Sequence, residues 1–301
     1  MPQAMTFGPP VISVDVEDWP QSTWDRGLPI TARAEISTRM MAELLNEAGV
    51  HATMFVLGKF AEKFPGVVRE LRTGGHEIAS HGYGHVEIFK QSRPEFTEDV
   101  RRSKNILEQI VGERVRGYRA PDFSIINGTL WALEELAEAG FEYDSSIFPM
   151  RRPRYGIPGW PVGPVEVALP QGRSILEIPV ATFRFMRRAW PVGGGGYHRL
   201  LPGFMFRYVA RSVMASTPFV FYCHPYELDA AEFREIPIRI PLAVRLHQGL
   251  GRARIARRLK TFLRCFGGRC MKDVVAFARW PQFDPARLRP TMIDGEVQHV
   301  T

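Results

Sequence analysis

The sequence predicts an α/β fold in which parallel strands alternate with crossover helices. Short apolar runs alternate with segments whose apolar residues recur at helical spacing, and this alternation is regular over the first half of the chain. The chain has 301 residues, 45% of them hydrophobic, which is enough to bury a large core. A regular strand–helix alternation is typical of a parallel sheet covered by its own connecting helices.

Each predicted element has a recognisable boundary. VISVDV at residues 11–16 is a continuous apolar run, typical of a buried strand, and HATMFVLG at 51–58 is a second such run. A helix over 31–49 ends in Gly, a common residue after a helix C-terminus. The other predicted elements are helices at 59–75, 93–112 and 127–140 and strands at 76–80, 115–121, 141–146 and 217–224.

Residues 150–218 differ from the rest of the chain because Pro, Gly and Arg are frequent and the apolar runs are short. We interpret this segment as an elaborated insertion and not as a separate domain. The predicted organisation is one barrel domain over 11–229, including the insertion, and a C-terminal helical extension over 230–301 that packs on it.

Composition narrows the cellular setting. Three cysteines argue against a disulfide framework, and no apolar run approaches the roughly 18 residues that span a bilayer. The first ten residues lack the pattern of a cleaved signal peptide, so we expect a cytoplasmic protein. The net charge of +7 indicates an anionic partner, either phosphate groups or a membrane surface.

The basic stretch GRARIARRLKTFLRCF, residues 251–266, has two interpretations. Ile255, Leu259, Phe262 and Phe266 form one apolar stripe surrounded by Arg and Lys. Such a helix either packs on the barrel with its charged face in water or lies on the inner face of a membrane. No nucleic-acid recognition motif accompanies the charge, so we predict no nucleic-acid partner.

Four groups of polar residues each follow a predicted strand, and the carboxyl ends of parallel strands share one face. The first group is Asp15, Glu17 and Asp18. The second is ASHGYGH, in which His81 and His85 are four residues apart and would share one side of a helical turn. Two histidines and one carboxylate could hold a catalytic metal with positions open to water; the alternative is a surface or capping pair.

The third group is GYRAPDF, with Arg119, and the fourth is FYCHPYE, with His224 at the end of a strongly apolar strand. Taken alone, Arg119 could be a surface residue and His224 a satisfied core residue. Taken together, the four groups supply a base, a metal site, an orienting cation and an acid.

These stretches, together with ATMFVLGKFAEKFPGVVRELRTGGHEIAS and YDSSIFP, occur in the order found in polysaccharide deacetylase (NodB homology) domains, which the chain resembles over residues 11–228. PVGGGGYHRLLP and HPYELD resemble the subgroup found in bacterial exopolysaccharide biosynthesis loci. The resemblance implies a distorted (β/α) barrel of about seven parallel strands and metal-dependent removal of N- or O-acyl groups from sugars.

The resemblance also implies roles for individual residues. Asp15 would be the general base, held by Arg119; His81 and His85 would be metal ligands; and His224 would be the general acid. Zn²⁺ suits such a site best, although Co²⁺ or Ni²⁺ could take the same ligands. The acylated sugar would be bound by residues that the matching motifs bring to the same face or that could stack on a sugar ring. These are Trp19, Tyr83, Pro121, Phe123, Asp144, Trp160 and Tyr197, although packing or turn capping is the alternative for the aromatic residues and Asp144.

Two departures from the family pattern matter. The usual second aspartate of the first motif is Val16 here, so the third metal ligand must lie further on. Alternate residues of a strand share a face, which favours Glu17; if the strand breaks at Val16, Asp18 becomes the candidate. Gly82 stands where many members have Ser or Thr, which leaves the substrate open.

Three functions are therefore considered. The first is a carbohydrate de-N-acetylase that acts on an intermediate of cell-surface polysaccharide synthesis, at the membrane or in the cytosol. The second is a hydrolase of a small cyclic imide, a ureide or another amide on the same fold. The third is a non-catalytic glycan-binding relative. Association of the chain with itself is left open.

Overall fold

The computed structural model describes residues 7–152, 154–186, 188–276 and 279–288. Residues 1–6, which belong to the stretch examined for a signal peptide, and residues 289–301 of the predicted extension lie outside the described residues. The strands are β1 Val11–Val16, β2 Thr53–Val56, β3 Glu77–Ser80, β4 Gly117–Tyr118, β5 Tyr143–Asp144, β6 Val165–Ala168, β7 Ser174–Glu177, β8 Thr182–Phe185, β9 Arg188–Pro191, β10 Val220–Cys223 and β11 Gln282–Phe283.

Helices connect and cover these strands. They are α1 Ala32–Glu47, α2 Gly58–Lys63, α3 Pro65–Thr73, α4 Arg93–Val111, α5 Ala132–Glu138, α6 Gly195–Leu200, α7 Gly203–Met214, α8 Glu232–Glu235, α9 Leu242–Gly249, α10 Arg252–Phe266 and α11 Lys272–Val275. Among the described helices, none is long and apolar enough to cross a membrane.

The central sheet confirms the predicted α/β class and strand number. Seven neighbouring strands, in the order β10-β1-β2-β3-β4-β5-β7, are parallel to one another. β6 adds antiparallel to β7, and β11 pairs with β6 at the outer edge. At the other edge, β10 exchanges backbone hydrogen bonds with Ala181 and Gly193, so irregular chain and not a strand completes this side of a distorted barrel.

Several predicted elements are shorter or broken in the structure: the strand predicted over 141–146 is reduced to the two residues of β5, and the helix predicted over 127–140 begins at Ala132. The helix predicted over 59–75 is two helices, α2 and α3, separated at Phe64 (φ −127°, ψ 56°). Pro65 is the cause, because it lacks an N–H and disfavours helical backbone in the residue before it. The strand predicted over 115–121 is reduced to the two residues of β4.

The C-terminal helices pack on the barrel. Ile255, Leu259 and Phe262 of α10 are buried, so most of the predicted apolar stripe belongs to the core. Burying each such side chain contributes about 1.5–3 kcal/mol. The stripe is therefore not available to a membrane. The division of the chain at residue 229 stays a prediction.

Candidate active site

The first two acids of the site stand at the carboxyl end of β1. Both faces of β1 are buried, and Asp15 and Glu17 are each only 2% exposed. The regular strand ends at Val16, yet Asp15 and Glu17 still point to the same side, as alternate residues of extended chain do.

His81 and His85 follow β3 in a loop, which corrects the expectation of a helical turn. His85 has left-handed backbone (φ 61°), and so does Gly82 (φ 73°). Asp99 of α4 fixes this loop, because its carboxylate accepts hydrogen bonds from the backbone N–H groups of Tyr83 (2.8 Å) and Gly84 (3.4 Å). A Cβ on Gly82 would lie 2.9 Å from Asp99 Oδ1, so the turn requires glycine.

Glu17, His81 and His85 come together in a buried cluster. Their donor atoms lie within 4.8 Å of one another, and Glu17 Oε2 is 2.7 Å from His85 Nε2 and 3.4 Å from His81 Nε2. His81 Nδ1 lies 2.8 Å from the carbonyl oxygen of Arg119, which can only accept, so Nδ1 carries the proton and Nε2 offers its lone pair to the cluster.

Asp18 is turned away from the histidines. Its carboxylate accepts a hydrogen bond from the backbone N–H of Thr31 at the start of α1 (2.5 Å). Burial raises the pKa of Asp18 to about 6. Of the two acids considered as third ligand, the geometry therefore brings Glu17 to the histidines and leaves Asp18 at the helix N-terminus.

Arg119 is fully buried and holds Asp15. Its Nη1 donates to Asp15 Oδ1 (2.7 Å) and to Ser13 Oγ (2.9 Å), while Nε and Nη2 donate to the carbonyl and hydroxyl of Ser145 (both 3.0 Å). The guanidinium also lies 4.2 Å from the centre of the Phe55 ring. A charge this deeply buried requires its carboxylate partner.

His224, after β10, faces the same site. Its Nε2 is 3.6 Å from Glu17 Oε1 and 3.9 Å from Asp15 Oδ2. Its Nδ1 lies 3.1 Å from Glu227 Oε1, and Arg199 Nε lies 3.1 Å from Glu227 Oε2. Glu227 and Arg199 thus orient the imidazole with Nε2 toward the cavity.

The neighbouring charges shift the pKa values of Glu17 and His224 in opposite directions. Burial alone would raise the pKa of Glu17, but the neighbouring His85, His81 and His224 hold it well below its ordinary value. Burial alone would lower the pKa of His224, but Glu227, Glu17 and Asp15 raise it. The surroundings therefore favour the charged form of both the Glu17 carboxylate and the His224 imidazole.

These groups border a cavity of about 350 Å³. Among the residues predicted to bind the sugar, Phe123 lines it. Tyr155, Tyr222 and Tyr226 also line it and were not singled out from the sequence.

Three residues predicted near the sugar are in the core, which corrects those expectations. Trp19 is fully buried and packs edge-on against Phe233, 4.7 Å between ring centres. Trp160 is buried against Phe283 in the same way. Asp144 is buried and accepts a hydrogen bond from the Ser146 backbone N–H (3.2 Å), so its capping alternative describes it better than a place in the cleft.

The other three predicted residues do not line the cavity. Tyr83 donates its hydroxyl to Glu62 (2.9 Å) and carries the Arg102 guanidinium over its ring. Pro121 is buried. In the sequence it lies midway between Arg119 and Phe123, and Phe123 lines the cavity. The Tyr197 hydroxyl accepts a hydrogen bond from Arg152 (2.6 Å).

Glu227, Arg199 and Asp99 were missed from the sequence. A signal existed for Glu227, because His and Glu three residues apart in HPYE can meet in one turn. Gly195 confirms how closely the chain approaches this carboxylate, since a Cβ there would lie 2.4 Å from Glu227 Oε1. Nothing local indicates Arg199 or Asp99, which reach the site through the packing of α6 and α4.

Comparison with protein families divides the chain into two parts. Residues 17–143 match the polysaccharide deacetylase family, and residues 145–276 match a domain of unknown function (DUF3473).

Curated relatives match only part of the chain. A peptidoglycan-N-acetylglucosamine deacetylase of Bacillus cereus is 32% identical over 33% of this chain and 36% of its own length. A chitooligosaccharide deacetylase of Azorhizobium caulinodans is 32% identical over 28% of this chain and 40% of its own. A peptidoglycan deacetylase-like protein of Gibberella zeae is 30% identical over 46% and 44%. The matches thus span less than half the length of these relatives.

Solved structures share the fold. A candidate polysaccharide deacetylase of Mycobacterium smegmatis has a TM-score of 0.59 at 21% identity, covering 92% of this chain and 94% of its own. Puue allantoinase has a TM-score of 0.53 at 14% identity, covering 92% and 87%. A candidate polysaccharide deacetylase and an allantoinase thus share this fold, so the fold alone does not identify a family. The identification depends on the motifs and on the family match. Over residues 17–143, less than half of the chain, this protein carries a polysaccharide deacetylase domain.

Proposed function

We propose that this protein is a metal-dependent hydrolase that removes an N-acetyl group from a saccharide. The observation that carries the proposal is the meeting of three arrangements at one cavity. These are the Glu17–His81–His85 cluster, the Asp15–Arg119 pair and the His224–Glu227 pair. The names of the curated relatives, deacetylases of peptidoglycan and chitooligosaccharide, support the same substrate class.

A divalent cation fits the cluster. Glu17 Oε2 is buried without a well-formed hydrogen bond, and the proton of His81 on Nδ1 leaves Nε2 free to bind. Two nitrogens and one oxygen suit Zn²⁺, and Co²⁺ or Ni²⁺ would accept the same donors. When bound, the cation would polarise the acyl carbonyl and make water more acidic.

Asp15 supplies the base. It lies beside the cluster and accepts the Arg119 Nη1–H, so one carboxylate oxygen is fixed while the other faces the cavity. In this position it can take a proton from the water that attacks the acyl carbon. The rigid anchoring of Arg119 by Ser13 and Ser145 keeps the carboxylate oriented.

His224 supplies the acid. Glu227 accepts the Nδ1–H and raises the pKa of His224, so Nε2 can carry a proton toward the departing amine. An amine is a poor leaving group without that proton. The site thus has one group for each of the two proton transfers that amide hydrolysis needs.

The biological setting is a further part of this proposal. The motifs PVGGGGYHRLLP and HPYELD suggest a role in exopolysaccharide synthesis, with a nucleotide- or lipid-linked saccharide as substrate in the cytosol or at the inner membrane face. Hydrolysis of a cyclic imide or ureide is the alternative chemistry. A non-catalytic role would leave the paired base and acid without a purpose.

The third metal ligand provides a sharp test, because Glu17 and Asp18 are adjacent acids with different surroundings. The purified protein is loaded with Zn²⁺, and metal content and acetate release from N-acetylated oligosaccharides are measured. Glu17→Gln should lose the metal and the activity, whereas Asp18→Asn should keep both. Metal retention by Glu17→Gln, or ring opening of allantoin without acetate release from any sugar, would refute the proposal.

A further inference from the structure

We propose that the β8–β9 hairpin and the outer face of α7 form a surface that docks on an anionic lipid bilayer. This interfacial surface comprises the exposed apolar residues Phe185, Met186, Trp190, Phe204 and Tyr208, together with the exposed arginines of the same two elements, Arg184 and Arg211. It is distinct from α10, whose apolar stripe is buried.

The exposure of these side chains is unusual for their type. Met186 is 82% exposed, Phe204 69% and Tyr208 68%, and Phe185 and Trp190 are each more than half exposed. Single exposed apolar residues need no explanation, but a group of large ones indicates a contact surface.

The apolar residues share faces. On α7, Phe204 and Tyr208 are one helical turn apart, while Phe206 and Ala210 on the other face are buried. In the hairpin, the antiparallel register pairs Phe183 with Trp190, which places both on one face with Phe185, two residues from Phe183. β8 packs against α7, so the hairpin and the helix form one continuous region.

The positive charge of this segment indicates that its binding partner is an anionic surface. Between Glu177 and Glu227 the sequence contains six arginines and no aspartate or glutamate, and one of the six, Arg199, pairs with Glu227 in the candidate site. Arg211 is exposed and lies three residues from Tyr208 on α7, and Arg184 is exposed on the other face of the hairpin from Phe183 and Phe185. Aromatic residues with a polar edge suit the lipid headgroup region, and arginine binds phosphate, so the combination fits an anionic membrane surface.

A second copy of this chain fits less well. In a symmetric dimer the same surface would meet itself, so arginines would face arginines with no acid in the segment to neutralise them. A lipid headgroup layer supplies the missing negative charge across the whole surface.

The chain passes from the cavity to this surface within five residues, from Arg199 to Phe204. Arg199 lines the cavity, and the following residue, Leu200, is 55% exposed and precedes α7. Arg199 Nη1 also donates to the carbonyl of Gln248 in α9, another cavity residue (2.6 Å). A docked protein would therefore hold the cavity close to the lipid headgroups, where it could receive a saccharide carried on a lipid. The use of such a substrate rests on the proposed function, whereas membrane docking does not.

Vesicle sedimentation tests the proposal. The full chain should bind phosphatidylcholine vesicles that contain about 30% phosphatidylglycerol, and should bind far more weakly to pure phosphatidylcholine or in about 0.5 M salt. The double variant Phe204→Ser/Tyr208→Ser should bind at least about tenfold more weakly. Its hydrolysis of a water-soluble substrate should be unchanged, because neither residue lines the cavity.

A matched control is available on α1. Ile36 and Met40 are 59% and 44% exposed and flank Arg39, which pairs with Glu35, so their surface is not uniformly basic. Ile36→Ser/Met40→Ser should bind vesicles like the wild type. The proposal is overturned if the wild type does not bind the anionic vesicles, if both double variants bind equally, or if the wild type is a dimer that only Phe204→Ser/Tyr208→Ser dissociates.

Discussion

The two halves of the candidate site are built in different ways. The proposed base, its arginine and the three proposed metal ligands come from residues 15–119, at the ends of short parallel strands or in the loop after β3. The proposed acid, His224, and its partners Glu227 and Arg199 come from the part that matches a domain of unknown function. The residues of the first half lie almost entirely in the segment that matches the polysaccharide deacetylase family. Those of the second half lie in the turn after β10 and in α6.

The difference indicates which features of the site are local. In the first half, each functional residue lies at the end of a strand or in the segment that follows one, so the sheet brings these segments together. In the second half, the carboxylate that orients His224 follows it by three residues, and its own partner Arg199 comes from a separate helix. We therefore expect changes at Glu17, His81 or His85 to remove the metal site, and changes at Glu227 or Arg199 to alter proton transfer with the metal site intact.

The largest expected effect is that of His81→Ala. This change removes one of three donors and leaves the other two buried. We expect loss of bound Zn²⁺ and a fall in turnover of about 10³-fold or more, which corresponds to about 4 kcal/mol. Metal analysis and acetate release on the same sample measure both; wild-type metal affinity in His81→Ala would contradict the assignment.

Glu227→Gln should have an intermediate effect. Metal content should stay at the wild-type level, and kcat should fall about 10–100-fold because the imidazole is less well oriented. Glu227 raises the pKa of His224, and the protonated form is the acid, so its loss should move the alkaline limb of the pH–rate profile to lower pH.

Glu235→Gln, a change at a largely exposed carboxylate of α8, is the control and should leave that profile unchanged. An unshifted alkaline limb in Glu227→Gln would show that this carboxylate does not act through His224.

The smallest expected effect concerns stability and not catalysis. His198 of α6 is buried among Phe206, Phe221 and Phe262, and burial, aided by Arg258, lowers its pKa from 6.5 to about 4. Between these values the unfolded chain binds a proton that the folded chain does not, so stability is lost as the pH falls. By pH 5 this residue should cost about 2 kcal/mol relative to pH 7.

His198→Phe should remove that loss, as measured by urea unfolding at the two pH values. His247→Gln, at an exposed histidine, serves as the control. Equal pH dependence of the wild type and His198→Phe would mean that the imidazole is charged in the folded protein.

Much of the first half could be predicted from sequence because its signals are local. The strands β1 and β2 are largely apolar runs, and Asp15, Glu17, His81, His85 and Arg119 lie at strand ends or shortly after them. The choice between Glu17 and Asp18 could not be made by locating the strand end, since β1 ends at Val16 and Glu17 still reaches the histidines. The choice is made by the chain between β1 and α1, which turns the Asp18 carboxylate to the backbone N–H of Thr31 at the start of α1.

Aromatic residues were harder to place, because their burial depends on which distant elements cover them. Trp19 is covered by Phe233 and Trp160 by Phe283, each from the C-terminal region. The stripe on α10 was visible from its spacing, but only the packing of the barrel distinguishes a core helix from a membrane-surface helix. Spacing specifies a face, and tertiary structure specifies what meets that face.

The most direct test of the proposed site is Asp15→Asn, measured for metal content and acetate release together. Asn keeps the shape of the side chain next to Arg119 but cannot take a proton from water. The proposal predicts a wild-type content of Zn²⁺ and a fall in acetate release of about 10²–10⁴-fold. Full acetate release by Asp15→Asn would contradict it, because the base would then lie elsewhere.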